Sequence, residues 1–481
     1  MNVPDGIRTN HATHAKGGFC VAFASQAGNR YREMAASPPP KRSRDKRMPA
    51  IDTKIDLKYW QIVPLIICVF LLQVGYTVHL SIAGAFFLLM MICGIRRLTV
   101  PALVLGLIGM VLILLPIIFS PVNDLADNAL YRSFREALGF FVIISLKNVR
   151  LVIGNKTHQR IRRSIWIIIA GLLLITALQA IDIFALHSGR FFMSYRLFPG
   201  TIDLENCWTL ASCWSEFGVS RGISVLIRPA ATYAEPSYLG FVVLCLVFAS
   251  QKINSGNKTA RNCIIFIALI IVLLAQTVSG IISLAILLFV VNWRYLSKNI
   301  GFIIFGAVFL LASALLLSGR FEALLGGSDE SGLIRLVYPL QVVGEVFSRG
   351  YIFGVPMDYV PLVLKDVGAQ GLHTASDNAL INMFILYGVS GFAILAILFL
   401  KMDFAEIVFL LLTMQFNGGI FSYEKVAMIS LALLLYRAHF QSRGASESAT
   451  VGSTLHHSGG TPVDEIPGKI ARPTMPTPGT T

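Results

Sequence analysis

Three polar stretches break an otherwise apolar chain, and each holds side chains able to bind charge or move protons. The first, RPAATYAEPSYLG at residues 228–240, stands directly before the apolar run FVVLCLVFAS. Arg228 brings a planar guanidinium, which captures phosphate or carboxylate through two parallel hydrogen bonds. Glu235 adds a carboxylate and Tyr233 a hydroxyl. Capping explains part of the pattern. Pro236 is tolerated at a first helical position, where its missing N–H would be unpaired anyway, and Glu235 at or beside the N-cap suits the helix dipole. Capping leaves Arg228 without a role.

The second stretch, HTASDNALINMFILYGVSG at 373–391, puts His373, Asp377 and Asn378 ahead of an apolar helix interrupted by Gly388 and Gly391. Asp377 or Ser376 is a candidate N-cap, and a lone loop histidine is more often solvated than catalytic. The third, SGLIRLVYPLQVVGEVFSRGYIFGVP at 331–356, carries Arg335 among Leu333, Leu336, Val337 and Leu340. Their helical spacing predicts an amphipathic segment along the outer surface, with Arg335 laid against the membrane face. The chain has no HExxH, paired CxxC, DxD or P-loop, the spacings that commonly hold metals and nucleotides. The simplest expectation is a site with no metal and no cofactor.

The elements that must position these residues are membrane helices. Of 481 residues, 55% are hydrophobic and only 14% charged, with mean hydropathy +0.69. Soluble domains carry roughly a quarter charged residues, whereas this chain repeatedly offers apolar runs able to cross a core of about 30 Å. Twelve spans are predicted, at 60–77, 80–95, 99–119, 132–149, 164–186, 236–250, 262–277, 279–293, 300–318, 379–400, 403–418 and 424–440. Charges inside spans are few, Asp182 and Glu406 each near an end. The expected class is an all-α polytopic membrane protein with its membrane domain at 60–440.

Orientation follows from basic residues in short loops. Arg96, Arg97, Lys147, Arg150, Lys156, Arg160, Arg162, Arg163, Lys252, Lys258, Arg261, Arg294, Lys298, Lys401, Arg437 and Arg443 all fall in alternate loops. The intervening short loops hold almost none, Lys425 excepted, so both termini are placed in the cytoplasm. Two long segments, 187–235 and 319–378, then face outward as large periplasmic loops. They contain seven arginines (190, 196, 221, 228, 320, 335, 349) against one lysine, Lys365. That preference points to recognition of phosphate or carboxylate, although surface ion pairs with the eleven acids in these loops are an equal explanation for any single arginine.

Residues 1–59 hold no apolar span, are rich in Pro and Arg, and read as a disordered basic segment with Met48 as an alternative start. Residues 441–481, rich in Ser, Thr, Pro and Gly, read as a disordered cytoplasmic tail. Residues 1–47 alone supply nine basic against three acidic residues of the net +14. The remaining charge flanks spans, so it implies anionic lipid and not nucleic acid. Cys207 and Cys213 share one outward loop and can form a structural disulfide.

Taken together, R…EPSYLG at 228–240, TVSGIISLAILL at 277–288, S…R…GYIFGVP ending at 356, HTASDNALINMFILYGVSG and QFNGGIFSYEKV at 415–426 resemble the O-antigen polymerase and ligase superfamily, Wzy-type polymerases in particular. The motifs occur in consistent order over about 60–440. The HTASDN form departs from the HSHN-like form of ligases, which favours a polymerase. The resemblance implies a GT-C-like fold in the bacterial inner membrane. It also implies transfer of a growing glycan from undecaprenyl diphosphate to the next lipid-linked repeat unit, with a flippase and a chain-length regulator as possible partners. On that reading Arg228 and Arg335 clamp the diphosphate, with Arg221 and Arg196 behind them. Glu235 or His373 is the base, while Tyr233, Asp377 and Asn378 bind or orient substrate. An O-antigen-type ligase is the nearest rival. A twelve-span transporter would require inverted repeats and mid-span charges, and a chain-length regulator few spans and a coiled coil; the sequence has neither pattern.

Overall fold

A computed structural model describes residues 51–55, 98–119, 127–147, 149–186, 228–233, 236–296, 338–356, 359–360, 378–416 and 419–440. All lie in one unit, which begins at Ile51. In chain order the elements are β1 (Ile51–Ile55), α1 (Val100–Ile118), α2 (Asp127–Lys147), β2 (Val149–Ile153) and α3 (Asn155–Ile181), which runs on through a wider turn at Asp182–Leu186. Then come α4 (Pro236–Ile253), α5 (Lys258–Leu274), α6 (Val278–Leu296), α7 (Tyr338–Ser348), α8 (Ala379–Tyr387), α9 (Ser390–Phe399), α10 (Phe404–Thr413), α11 (Tyr423–Arg437) and β3 (His439–Phe440). Spans expected at 60–77, 80–95 and 300–318 lie outside the described residues.

Helix dominates, as expected of an all-α membrane protein. Among the described residues α1, α3 and α4 are long and apolar enough to cross a membrane. Their environments differ: 89% of the α4 window is buried inside the protein against 28% for α1. α4 is therefore the central post, wrapped by α11, α5, α6 and α3. α1 is peripheral and shows Leu103, Val104, Leu107, Ile108 and Val111 on its outer side. An outer face so uniformly apolar suits lipid, since only there does it cost nothing to expose. On its inner side Gly106 and Gly109 let α1 approach α2, for a Cβ on Gly109 would overlap the Phe140 ring. Small residues at helix contacts are how membrane helices close up.

Beside the helices lies a small parallel sheet in the order β1-β2-β3, which the sequence reading did not include. Ile51 pairs with Val149 and Ile55 with Ile153, while Val152 and Ile153 pair with His439 and Phe440. β1 lies inside the segment read as disordered, and β2 inside a loop read as a basic connector. Both are short runs with β-branched residues, IDTKI and VRLVI, too brief to register beside helices of 20 residues.

The sheet closes one end of the bundle. Arg437, on the last turn of α11, donates from Nη2 to Glu406 Oε2 at 2.6 Å and from Nη1 to the backbone oxygen of Lys147. Lys147 Nζ donates to the carbonyls of Ile397 and Leu398 at 3.1 and 2.6 Å, where the C-terminus of α9 favours a cation. The His158 imidazole bonds the Ile253 carbonyl at 2.7 Å and stacks near Phe440. The basic loop segments at 147–163, 252–261, 401 and 437 thus gather at this end, and the starts of α4, α6, α8 and α11 lie at the other.

Candidate functional site

The RPAATY segment enters α4 through a tight turn in which Tyr233 N–H donates to the Ala230 carbonyl at 3.0 Å. Ala231 sits at φ 53°, a left-handed conformation that costs an L-residue roughly 1–2 kcal/mol. Gln179 of α3 holds it there, accepting from the N–H groups of Ala230 and Ala231 at 3.0 and 2.8 Å. Next door, the turn between α5 and α6 also carries a left-handed non-glycine, Gln276 at φ 49°. Arg228 Nη1 donates to the Gln276 carbonyl at 3.3 Å, so one guanidinium ties the two strained turns. Backbone strain concentrated in this way marks functional sites.

Directly beyond those turns α4 and α6 begin, and they meet through Gly240 and Gly280. A Cβ on Gly240 would stand 3.3 Å from Gly280 Cα, closer than ordinary contact, and one on Gly280 would strike Thr277 Oγ1. The partial positive charge of the two helix starts and the Arg228 guanidinium thus lie close together.

α11 starts beside them. Tyr238 OH donates to Glu424 Oε1 at 3.2 Å, and Arg135 of α2 lies over the Tyr423 ring at 5.9 Å. Lys425, the exception among outward loop residues in the sequence, is not a loop residue at all. It is fully buried, donates to the Phe416 carbonyl at 3.0 Å, and lies over the Tyr238 and Phe241 rings. Nearby, Thr277 Oγ1, Ser279 Oγ, Ser422 Oγ, Glu424 Oε2 and Arg135 Nε are buried without a hydrogen-bond partner among the described residues. Such groups are rare in protein interiors.

The second feature of this end is a broken helix. The apolar run 379–400 is α8 and α9, interrupted at Gly388 with φ 53°. The GYIFGVP segment repairs the break: Val389 N–H donates to Ile352 O at 2.9 Å and Val355 N–H to Ile385 O at 3.0 Å. Backbone freed inside a membrane must find such partners. Tyr387, at the break, donates to Glu136 Oε2 of α2. Glu136, Tyr387, Arg132 and Ser133 line a shallow cleft with room for about one water molecule.

Of the residues singled out in the sequence, Arg228, Tyr233 and Asn378 are described. Asn378, and neither Asp377 nor Ser376, caps α8: its Oδ1 accepts from Leu380 and Ile381 N–H, and its Nδ2 donates to Gln415 Oε1 at 3.0 Å. Tyr233 is wholly buried, which pushes its phenol pKa up. In this fold it supports the turn from within. Leu340 of α7 is exposed, and Pro339, Val342 and Val346 form the buried face; the other residues of the expected amphipathic segment, Leu333, Arg335, Leu336 and Val337, lie outside the described residues. Arg196, Arg221, Glu235, Arg335, His373, Asp377, Cys207 and Cys213 lie outside the described residues. The sequence reading passed over Glu136, although it stands inside the span predicted at 132–149. An acid within an apolar helix is itself the signal.

Neither curated proteins nor solved structures yield a match. The family model for WcaD colanic acid polymerase matches residues 59–438, which include the Arg228 turn, the broken helix and the cleft. The chain is therefore a member of the WcaD colanic acid polymerase family, a family of polysaccharide polymerases.

Proposed function

We propose that the protein elongates a polysaccharide at the periplasmic face of the bacterial inner membrane. It transfers the growing glycan from an undecaprenyl-diphosphate carrier to the next lipid-linked repeat unit. The carrying observation is Arg228, fixed between two strained turns where α4 and α6 begin, at the end of the bundle away from the basic loops. Twelve spans, a GT-C-like arrangement and cytoplasmic termini complete the reading, which the alternation of basic loops supports.

As the acceptor hydroxyl oxygen bonds to the anomeric carbon, the bond to the diphosphate breaks and its electron pair stays on the phosphate oxygen. Preorganised positive groups lower that barrier most. Arg228 supplies one, with Arg335, Arg221 and Arg196 as further clamps. Glu235 or His373 accepts the hydroxyl proton. Asp377 and Asn378 orient the chain entering α8, and Tyr233 supports the Arg228 turn. The protein itself then supplies all the charge stabilisation, without metal or nucleotide sugar.

The test is a gel of lipid-linked and surface glycan from a deletion strain complemented with wild type, Arg228→Ala or Glu235→Ala at matched expression. The expected result is single repeat units in the deletion, a ladder restored by wild type, and none restored by Arg228→Ala. Long polymer that persists in the deletion but is left unattached would identify a ligase instead. Unchanged glycan throughout would refute the enzyme reading.

A further inference from the structure

Arg135 is a guanidinium that the fold leaves without a hydrogen bond. It stands about 12 Å along α2 from Asp127 at 1.5 Å per residue. It is level with the start of α11, since it lies over the Tyr423 ring. Its Nε is buried, and among the described residues the side chain makes no hydrogen bond and no ion pair. Nη1 and Nη2, unlike Nε, are not sealed in. Two acids adjoin it, and each accepts a tyrosine hydroxyl instead. Glu136, within Coulombic reach of Arg135, accepts from Tyr387, and Glu424, next to Tyr423, accepts from Tyr238. Arg132, Arg135 and Lys425 outnumber these two acids, so the local balance favours an anion.

The surroundings indicate which anion. Leu130, Tyr131 and Phe134 are 59%, 67% and 48% exposed, and Tyr131 lies one turn before Arg135 on the same side of α2. A guanidinium over an aromatic ring keeps its in-plane donors for phosphate, and an exposed apolar strip beside it suits a phosphate that carries a hydrocarbon chain. Arginine within a membrane helix is costly and marks function. We propose that Arg135 binds the diphosphate of the acceptor, the lipid-linked repeat unit whose own carrier is not cleaved, with the hydrocarbon along Leu130, Tyr131 and Phe134. The assignment rests on the polymerase reading for its substrate. A polymerase of that kind holds two lipid diphosphates at once, at one depth, because both chains lie in the bilayer. Arg228, ahead of α4, takes the one that leaves, and Arg135, over α11, the one that stays. The Tyr238–Glu424 bond ties the starts of those two helices.

The probe is undecaprenyl diphosphate, added to the full chain in detergent, and the readout is phenylglyoxal labelling of arginines followed by peptide mass spectrometry. Arg135 should label in the free protein and be protected by the lipid diphosphate, while Arg349, exposed after α7, labels equally throughout. Phosphatidylglycerol at the same concentration should not protect. Equal protection by it would identify a general anionic-lipid contact and overturn the assignment, as would labelling that undecaprenyl diphosphate leaves unchanged. In an Arg228→Ala background, Arg135→Gln should weaken binding of undecaprenyl diphosphate roughly ten- to hundredfold, and Arg135→Lys less, at unchanged melting temperature. Equal affinity in all three proteins overturns the proposal. The labelling uses wild type, so it decides alone should a variant fail to fold. A glycan ladder that depends on the protein, with Arg135 unprotected, overturns this assignment alone, whereas glycan unchanged throughout overturns the polymerase reading.

Discussion

Gln179 and Ala231 are joined by two hydrogen bonds: Gln179 Oε1 accepts the Ala231 N–H at 2.8 Å while Nε2 donates to the Ala231 carbonyl at 2.7 Å. The side-chain amide thus pairs with a backbone held in the left-handed region, and the turn that carries Arg228 depends on it. Both residues are fully buried, so no water can replace the contact.

Gln179→Leu should strand the buried N–H groups of Ala230 and Ala231, each at a cost of about 1–3 kcal/mol. A lower melting temperature in detergent and a weakened glycan ladder are expected together. Ala231→Gly keeps the backbone bonds and removes the left-handed penalty, so its melting temperature should not fall. A drop for the glycine variant would show that the conformation costs nothing here.

At the opposite end, Arg437 and Glu406 form a two-bond ion pair, with side chains only 13% and 5% exposed. Removing one partner leaves a buried charge, a loss of roughly 3–5 kcal/mol. Arg437→Ala should therefore melt well below wild type, while Arg437→Met combined with Glu406→Met should recover most of the difference. Thermal unfolding of the three proteins checks this, and equal melting of single and double variants would contradict it.

Gly388 cannot carry a side chain. A Cβ would strike the Ile352 carbonyl and the Gly354 nitrogen, at a φ that L-residues avoid. Gly388→Ala should displace the GYIFGVP segment and lose several kcal/mol, within the upper range for single substitutions, roughly 4–5. Gly344 of α7 has nothing within 4 Å of a Cβ, so Gly344→Ala should stabilise by up to about 1 kcal/mol. Comparing melting temperatures of the pair tests whether close approach, and not glycine as such, matters.

Asn378 both caps α8 and bonds Gln415. Asn378→Ala should cost about 1 kcal/mol through the lost cap. Asn378→Asp preserves the cap but faces Gln415 Oε1 with a second acceptor, so its stability should recover only when Gln415 is also changed to Lys. A double-mutant cycle on melting temperature measures that coupling.

Much of the bundle was legible in the sequence. The runs at 99–119, 236–250 and 424–440 became α1, α4 and α11 with ends shifted by a few residues, because apolar length and helix caps are local properties. Pro236 opens α4 as its ring geometry requires. The break at Gly388 was visible as a glycine in an apolar run. Asn378 was visible only as a polar residue before that run, since which of three neighbours caps depends on where the chain enters.

Other features needed the folded chain. β1, β2 and β3 are drawn from residues about 100 and 290 apart, and short strands acquire their hydrogen bonds only from distant partners. Lys425 reads as a loop cation until Tyr238, Phe241 and the Phe416 carbonyl enclose it. Glu136 was present in the sequence as an acid in a span, but its meaning came from Tyr387, 251 residues away.

By itself the sequence determined that this chain enters a membrane, roughly where its long apolar helices run, and which loops hold arginine. Those follow from hydropathy and charge summed over neighbouring residues. Only the tertiary structure decided that Arg228 joins two strained turns, that GYIFGVP repairs a broken helix, and that Glu136 meets Tyr387 at that break. Each of these depends on distances between residues far apart in the chain, and packing alone fixes such distances.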